Sequence, residues 1–233
     1  MAPSPYTDRH DALRAGFGIY LSLQNLLLEN RLPISLSFYD GSTFYDDSER
    51  VQAALSGADV LLIGGSTWNQ GPAFYLRRFL EQAGATFLGG VVASAWATAG
   101  GSHTGGEEVV GTTLRSMMGL GASVFTLGQK YMVFTTDERI APAEPGHFSL
   151  LDVYYMDQFA RYIAVTAMAR QDRAAAQRLA KALAVSPFYF LGSFPHSDAE
   201  LARYRPLQAR LNAAADASSP EYLALRALLA GSE

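Results

Sequence analysis

Apolar and polar positions repeat along this chain with two alternating periods, and the segments they mark take turns. Residues 12–30, ALRAGFGIYLSLQNLLLEN, hold Phe17, Tyr20, Leu21, Leu23, Leu27 and Leu28 at mostly helical spacing, which predicts a helix packed on a core and ending near Asn30. Residues 33–39 alternate apolar with polar, as a sheet-edge strand does. Asp40-Gly41-Ser42 predicts a turn, and residues 48–55 a short helix. Ala58–Ile63 is too short and too β-branched for a helix and reads as a strand buried on both faces, at 59–63. A helix is predicted from Pro72, a residue suited to a first helical turn, to about 83, with Phe74, Leu76, Phe79 and Leu80 as its core contacts. Further on, the pattern predicts a strand at 90–96, a helix from about Gly106 to Gly119, and a strand at 122–127. An irregular stretch at 131–150, with Pro142, Pro145 and Gly146, precedes an amphipathic helix at 151–170.

Strand–helix alternation of this kind predicts a doubly wound parallel sheet. The pattern nevertheless opens on a helix. Residues 1–11, MAPSPYTDRHD, contain no β run, and in a five-stranded sheet of order 2-1-3-4-5 the strand missing ahead of residue 12 is the central one. After Arg170 the composition changes: 172–185 is Ala/Arg-rich and helical, Ser197–Glu200 is a capping box, and Ser219-Pro220-Glu221 opens a last short helix. The chain thus divides into an α/β domain at 1–171 and a helical C-terminal extension at 172–233. Within the extension, Phe188-Tyr189-Phe190-Leu191 lies in a loop between two prolines, as a lid over a substrate or a patch covered by another subunit.

Composition narrows the function. With 233 residues, 49% of them apolar, 17% charged and a net charge of −4, this is an ordinary globular chain with no basic footprint for nucleic acid. The absence of cysteine excludes disulfides and thiolate chemistry, and four scattered histidines show no metal-ligand spacing. The greasiest segment, Ala15–Leu28, is interrupted by Gln24 and Asn25 and is too short to span a bilayer. No signal-peptide pattern opens the sequence, so a cytoplasmic location is expected.

The candidate chemistry sits in two loops that follow apolar runs. Gly64–Gly71 and Ala97–Gly106 would lie outside the carboxyl ends of neighbouring strands, where open parallel sheets bind ligands. With Trp68 in one and Trp96 at the end of the other run, they predict a seat for a flat, aromatic, phosphate-bearing ligand, although Trp96 is most simply a core residue. The first loop reads as a flavin seat, or as a turn that needs its glycines for conformation. The second could hold an anion or a flavin ring edge, and Glu107 and Glu108, already complementing the helix terminus, favour the ring edge over phosphate. His103 is either a donor to a quinone oxygen or a surface histidine. Tyr131 and His147 either wall the pocket or serve the structure.

At residues 57–171 the order and spacing of these motifs resemble the WrbA-type flavodoxin-like NAD(P)H:quinone oxidoreductases. ADVLLIGGSTWNQGPAFYLRRFLEQAG resembles that family's third strand, flavin loop and following helix without a gap. ATAGGSHTGGEE resembles its fourth-strand loop, and Phe134-Thr135-Thr136-Asp137-Glu138 with the helix around Asp157–Arg161 resembles its C-terminal part. The resemblance implies a flavodoxin-like sandwich that binds FMN, cycles it with NAD(P)H, reduces quinone-like or related aromatic substrates, and forms a homo-oligomer, a dimer or tetramer. It implies phosphate-side contacts from Ser4, Tyr6 and Thr7. Ser66, Thr67, Trp68, Asn69 and Gln70, with Thr98, Ala99, Gly100, Gly101 and Ser102, would then line the ring, and His103 would serve the quinone. Two departures stand out: Asp8 beside the phosphate loop, and Trp68 where the family carries an arginine. They and the missing strand support a second expectation, a degenerate flavodoxin-like protein without flavin that acts as a binding or assembly subunit. A third is an enzyme that uses the same cleft without a cofactor.

Overall fold

The computed structural model describes residues 8–99, 105–126, 133–135, 147–185 and 197–230. Its first element, α1 (Asp8–Asn30), is buried without interruption from Arg14 to Ile19. A helix resting on a single surface could not bury every side chain in a run of that length. One face of α1 lies on the sheet, and the rest takes two later helices.

Past Asn30 the chain runs extended. Leu32, Ile34, Leu36 and Phe38 pack on the core while Pro33, Ser35, Ser37 and Tyr39 face outward. The alternation predicted for an edge strand is therefore present, but no ladder joins this run to any other among the described residues. A cleft separates it from the nearest sheet edge. Helix α2 (Ser48–Leu55) begins where predicted, because the Asp47 carboxylate accepts from the N–H groups of Glu49 and Arg50.

The sheet is built on β1 (Val60–Trp68) and β3 (Val92–Ala99), parallel from Val60 against Val92 to Ser66 against Thr98. The predicted strand at 59–63 continues through Gly64-Gly65-Ser66-Thr67-Trp68. Next, β2 (Gly71–Pro72) folds back antiparallel on the end of β1. Pro72 therefore closes a hairpin instead of opening a helix, and α3 (Phe74–Gln82) starts only once the chain has reversed. Across the sheet, β4 (Ser123–Val124) lies beside Val92–Ala93 and β5 (Val133–Thr135) beside Ala97–Ala99, so two short pieces share one edge of β3. Gly64 faces Trp96 and α1 while Gly65 faces Leu76 of α3, so helices cover both sides of β1. Together with α4 (Gly106–Gly119) and α5 (Leu150–Gln171, opened by a Ser149–Asp152 capping box), this is a mixed α/β layer with a mostly parallel sheet. Among the described residues no helix is long and apolar enough to cross a membrane.

The C-terminal helices α6 (Arg173–Ala182), α7 (Asp198–Ala202), α8 (Arg205–Ala213) and α9 (Pro220–Ala230) join this core. Leu211 of α8 is fully buried against Gly18 of α1 and Met156 of α5. Arg14, itself buried, stacks its guanidinium over the Phe148 ring at 5.1 Å and donates from Nη1 to the Leu211 carbonyl at 3.5 Å. Phe148 in turn donates from its main chain to Asn212 Oδ1 at 2.9 Å and accepts from Gln208 at 3.0 Å.

A polar knot fixes α7 and α8 on α5. Arg161 Nε donates to Asp157 Oδ2 at 2.7 Å, and the Tyr204 hydroxyl donates to the same oxygen at 3.0 Å. Burial, with the Asp157 charge beside it, pushes the Tyr204 phenol above the ordinary tyrosine range. A raised folded-state pKa favours the neutral phenol, so its contribution is intact below about pH 10, where the unfolded phenol titrates, and is lost as the pH climbs beyond that point. Urea midpoints measured from about pH 8 to pH 11 should fall at the alkaline end. Tyr204→Phe should lower the neutral-pH midpoint by about 1 kcal/mol and flatten that alkaline fall. A variant with the parent's alkaline slope would remove Tyr204 from the titration.

Candidate functional site

The carboxyl ends of β1 and β3 form the candidate site. Ser66 and Thr98 stand opposite each other in register, both buried. The Thr67 hydroxyl donates to the Thr98 carbonyl at 2.9 Å, and the Thr98 hydroxyl donates to Ser66 Oγ at 3.4 Å. Tyr75, in the first turn of α3, accepts from the Ser66 N–H and donates to its Oγ, each at 3.2 Å, and the Ser66 carbonyl takes the N–H of Ala73 at 3.1 Å. Ser66, Thr67 and Thr98 therefore lock the two strand tips together, and Ala99 is buried behind them.

Above this lock the hairpin turns at Asn69 and Gln70, whose φ values of 48° and 65° make a two-residue turn of the kind that suits a right-twisted hairpin. Trp68, Asn69 and Gln70 are exposed at its tip, Trp68 by 63%. The Gln70 backbone lies so close to Gly105 that a Cβ there would overlap it, and Gly105 also has a φ of 93°. Only glycine meets both conditions. The hairpin and the amino end of α4 thus meet backbone to backbone and form one rim.

The charge at that rim disfavours phosphate. Glu107 and Glu108 occupy the first turn of α4, where carboxylates complement the helix terminus. The Thr112 hydroxyl, at 2.8 Å, and then the Arg115 guanidinium, at 2.7 Å, hold the Glu108 carboxyl below its usual range, so it stays anionic.

No known protein family matches the chain, and no protein of established function matches it.

Of the site residues expected from sequence, Ser66, Thr67, Trp68, Asn69, Gln70, Thr98 and Ala99 come together at one place. Ser4, Tyr6, Thr7, Gly100, Gly101, Ser102 and His103 lie outside the described residues, as do Tyr131 and the Phe188–Leu191 loop. Trp96 does not join Trp68 at the rim. It sits within β3, 9% exposed, its indole over Gly64 and against Gly16 of α1, so the pairing of two tryptophans at the strand tips is corrected and the core reading of Trp96 stands. In an alternating strand its side chain falls on the face that α1 covers. Tyr75 was not picked out from sequence, yet it closes the Ser66 network. Its signal is a phenol in the first turn after a strand end, within reach of that strand's last buried hydroxyl.

Proposed function

We propose that the protein is a flavodoxin-like, FMN-dependent oxidoreductase that passes two electrons from NAD(P)H to a quinone-like or related aromatic substrate, acting as a homo-oligomer. The observation that carries this reading is the single rim made by the β1–β2 hairpin and the amino end of α4, above two parallel strand ends where open α/β sheets take their ligands. The rim suits a flat ring edge: it offers an exposed indole and backbone groups, and it carries two carboxylates that would repel a phosphate. Trp68, Asn69 and Gln70 would meet the ring, with Trp68 as its aromatic partner. Thr98 and Ala99 back the rim, and Gly100, Gly101, Ser102 and His103 follow them in sequence, His103 as donor to the quinone oxygen. The phosphate would fall to Ser4, Tyr6 and Thr7. FMN supplies the hydride and two-electron chemistry when bound, so the chain's own groups need only position, stack and exclude water.

Purified protein given FMN is expected to turn yellow and quench flavin fluorescence, to bleach with NADH or NADPH, and to regain colour with a quinone. Trp68→Ala should weaken FMN binding about tenfold, the effect of one aromatic contact. Colourless protein that takes up no FMN overturns the reading. It would leave the flavin-free binding or assembly subunit, which the exposure of Trp68 (63%) and Phe74 (66%) favours as a protein-contact surface.

A further inference from the structure

A cavity of about 440 Å³ lies between the extended run 33–39 and β1 at Val60–Gly64. Gly16, Tyr20 and Leu23 of α1 line one side of it, and Leu76 and Phe79 of α3 the other. Ser66–Gln70, Thr98 and Gly105 take no part in its walls, so it is distinct from the rim at the strand tips. Its size falls within the range of small-molecule sites, about 300 to 1,000 Å³.

The walls are apolar and incompletely covered. Ile34, Leu36, Phe38, Val60 and Leu62 line the cavity and pack on the core, yet each stays only partly buried. Water filling the space would meet few polar partners there, whereas an apolar guest would bury those side chains. Along β1 the lining runs from Val60 to Gly64, roughly 13 Å at a strand rise of about 3.3 Å per residue. The space therefore suits an elongated molecule.

The lining also sets the guest's charge. Among the described residues no lysine, arginine or histidine lines the cavity, so a carboxylate or phosphate would lose its hydration with no cation to replace it. Two carboxylates do line it. Asp59 is exposed to solvent, and the buried Asp40 already accepts from the Ser42 N–H at 3.1 Å and from the Ser42 hydroxyl, so neither is a spare partner for an ammonium group.

Trp96 supplies the polar mark. It lines the cavity, is 9% exposed, and its Nε1–H is buried with no acceptor among the described residues. Cε2, the carbon bonded to that nitrogen, lies over Gly64, and Cζ2 lies beside Gly16; both glycines belong to the cavity wall. A buried donor without an acceptor is costly, and a carbonyl oxygen on the guest would satisfy it.

We propose that this cavity binds an uncharged, elongated apolar molecule carrying a carbonyl oxygen, of the class of a fatty ester or long-chain ketone, with that oxygen set against the Trp96 indole. Nothing in this depends on flavin.

Fluorescence of the Trp68→Phe chain, in which Trp96 is the one indole left, tests it. Methyl laurate should change the Trp96 emission saturably, with one molecule bound per chain. Laurate and dodecylammonium, of equal chain length, should bind at least about tenfold more weakly. The carbonyl stretch of the bound ester should fall below its value in hexane, the mark of an accepted hydrogen bond. Val60→Phe and Ile34→Phe, which fill the cavity from its two long walls, should each abolish the emission change while keeping the parent's circular dichroism. An ester brominated along its chain should quench Trp96 strongly, a contact readout that needs neither filling variant to fold. The proposal is overturned by an absent or unsaturable change, by charged chains binding as tightly as the ester, or by a carbonyl stretch at its hexane value. Emission changes that persist in folded filling variants, or bromination that adds no quenching, overturn it equally. Failure to bind FMN leaves all these outcomes readable.

Discussion

Gly64→Val is expected to lower the unfolding free energy by about 3 kcal/mol, the upper end for overpacking. Gly64 lies in the middle of β1 and turns towards α1, and the Trp96 indole of the neighbouring strand lies across it. A Cβ at this position would overlap the fused carbons of the indole, and valine adds two methyl groups to that overlap. Towards α1 the ring has little room to retreat, because a Cβ on Gly16 would already stand 3.0 Å from Trp96 Cζ2 and 3.1 Å from Phe38 Cε2, so it must turn towards the cavity that it also lines. The variant must rotate the indole off its rotamer or part β1 from β3. Urea unfolding followed by tryptophan fluorescence measures the loss, and the native emission should shift to the red as Trp96 leaves its buried site. Gly84→Ala is the control: a Cβ there meets nothing within 4 Å, so its midpoint should move by less than about 0.5 kcal/mol. A Gly64→Val midpoint equally close to the parent would mean that Trp96 does not cover β1.

The elements legible in the sequence are those whose own period decides them. Helix α4 occupies Gly106–Gly119 as predicted, and α5 extends the prediction by one residue at each end. Both carry their signals locally, α4 in its spacing and flanking glycines and α5 in its spacing and cap. What the sequence hid were facts of pairing. The run at 33–39 has a strand's alternation, but a ladder needs a neighbour within reach, and no described strand pairs with it. Gly64-Gly65-Ser66-Thr67-Trp68 reads as a loop by composition, yet β3 holds it in register as far as Ser66. Pro72 suits a helix start as well as the last position of a two-residue strand at an edge, and only the hairpin decides between them. The edge at 122–127 is shared by two segments separated in sequence, which no local period reveals.

The candidate site was legible in part for the same reason. Composition marked the loops, and register shows that Ser66 and Thr98 face each other. Which tryptophan reaches the rim was a question of strand parity: Trp96 points towards α1, while Trp68 lies at a hairpin tip that the sequence did not announce. The knot of Asp157, Arg161 and Tyr204 was equally hidden, because Tyr204 lies 47 residues from Asp157, in the turn between two later helices.

Leu211→Ala is expected to cost about 3 kcal/mol, and Gly18→Ala, harmful alone, to restore roughly 1 kcal/mol when combined with it. Leu211 is the fully buried side chain by which α8 enters the groove between α1 and α5, and truncating it leaves a void that the packed helices close only in part. A Cβ on Gly18 would stand 2.8 Å from Leu211 Cδ1 and 2.7 Å from Met156 Sδ. In the parent that crowding outweighs the gain of about 1 kcal/mol that alanine brings to a helix interior. With alanine at 211, Cδ1 is gone, and Met156, unbranched and adaptable, can swing into the vacated space. The alanine at 18 then keeps its helical preference without the clash. Urea midpoints of the parent, both single variants and the double variant close the cycle. Effects that simply add would mean that Leu211 does not rest on Gly18, and the C-terminal helices would have to be docked elsewhere on the α/β layer. A double variant more stable than Leu211→Ala ties the extension to α1.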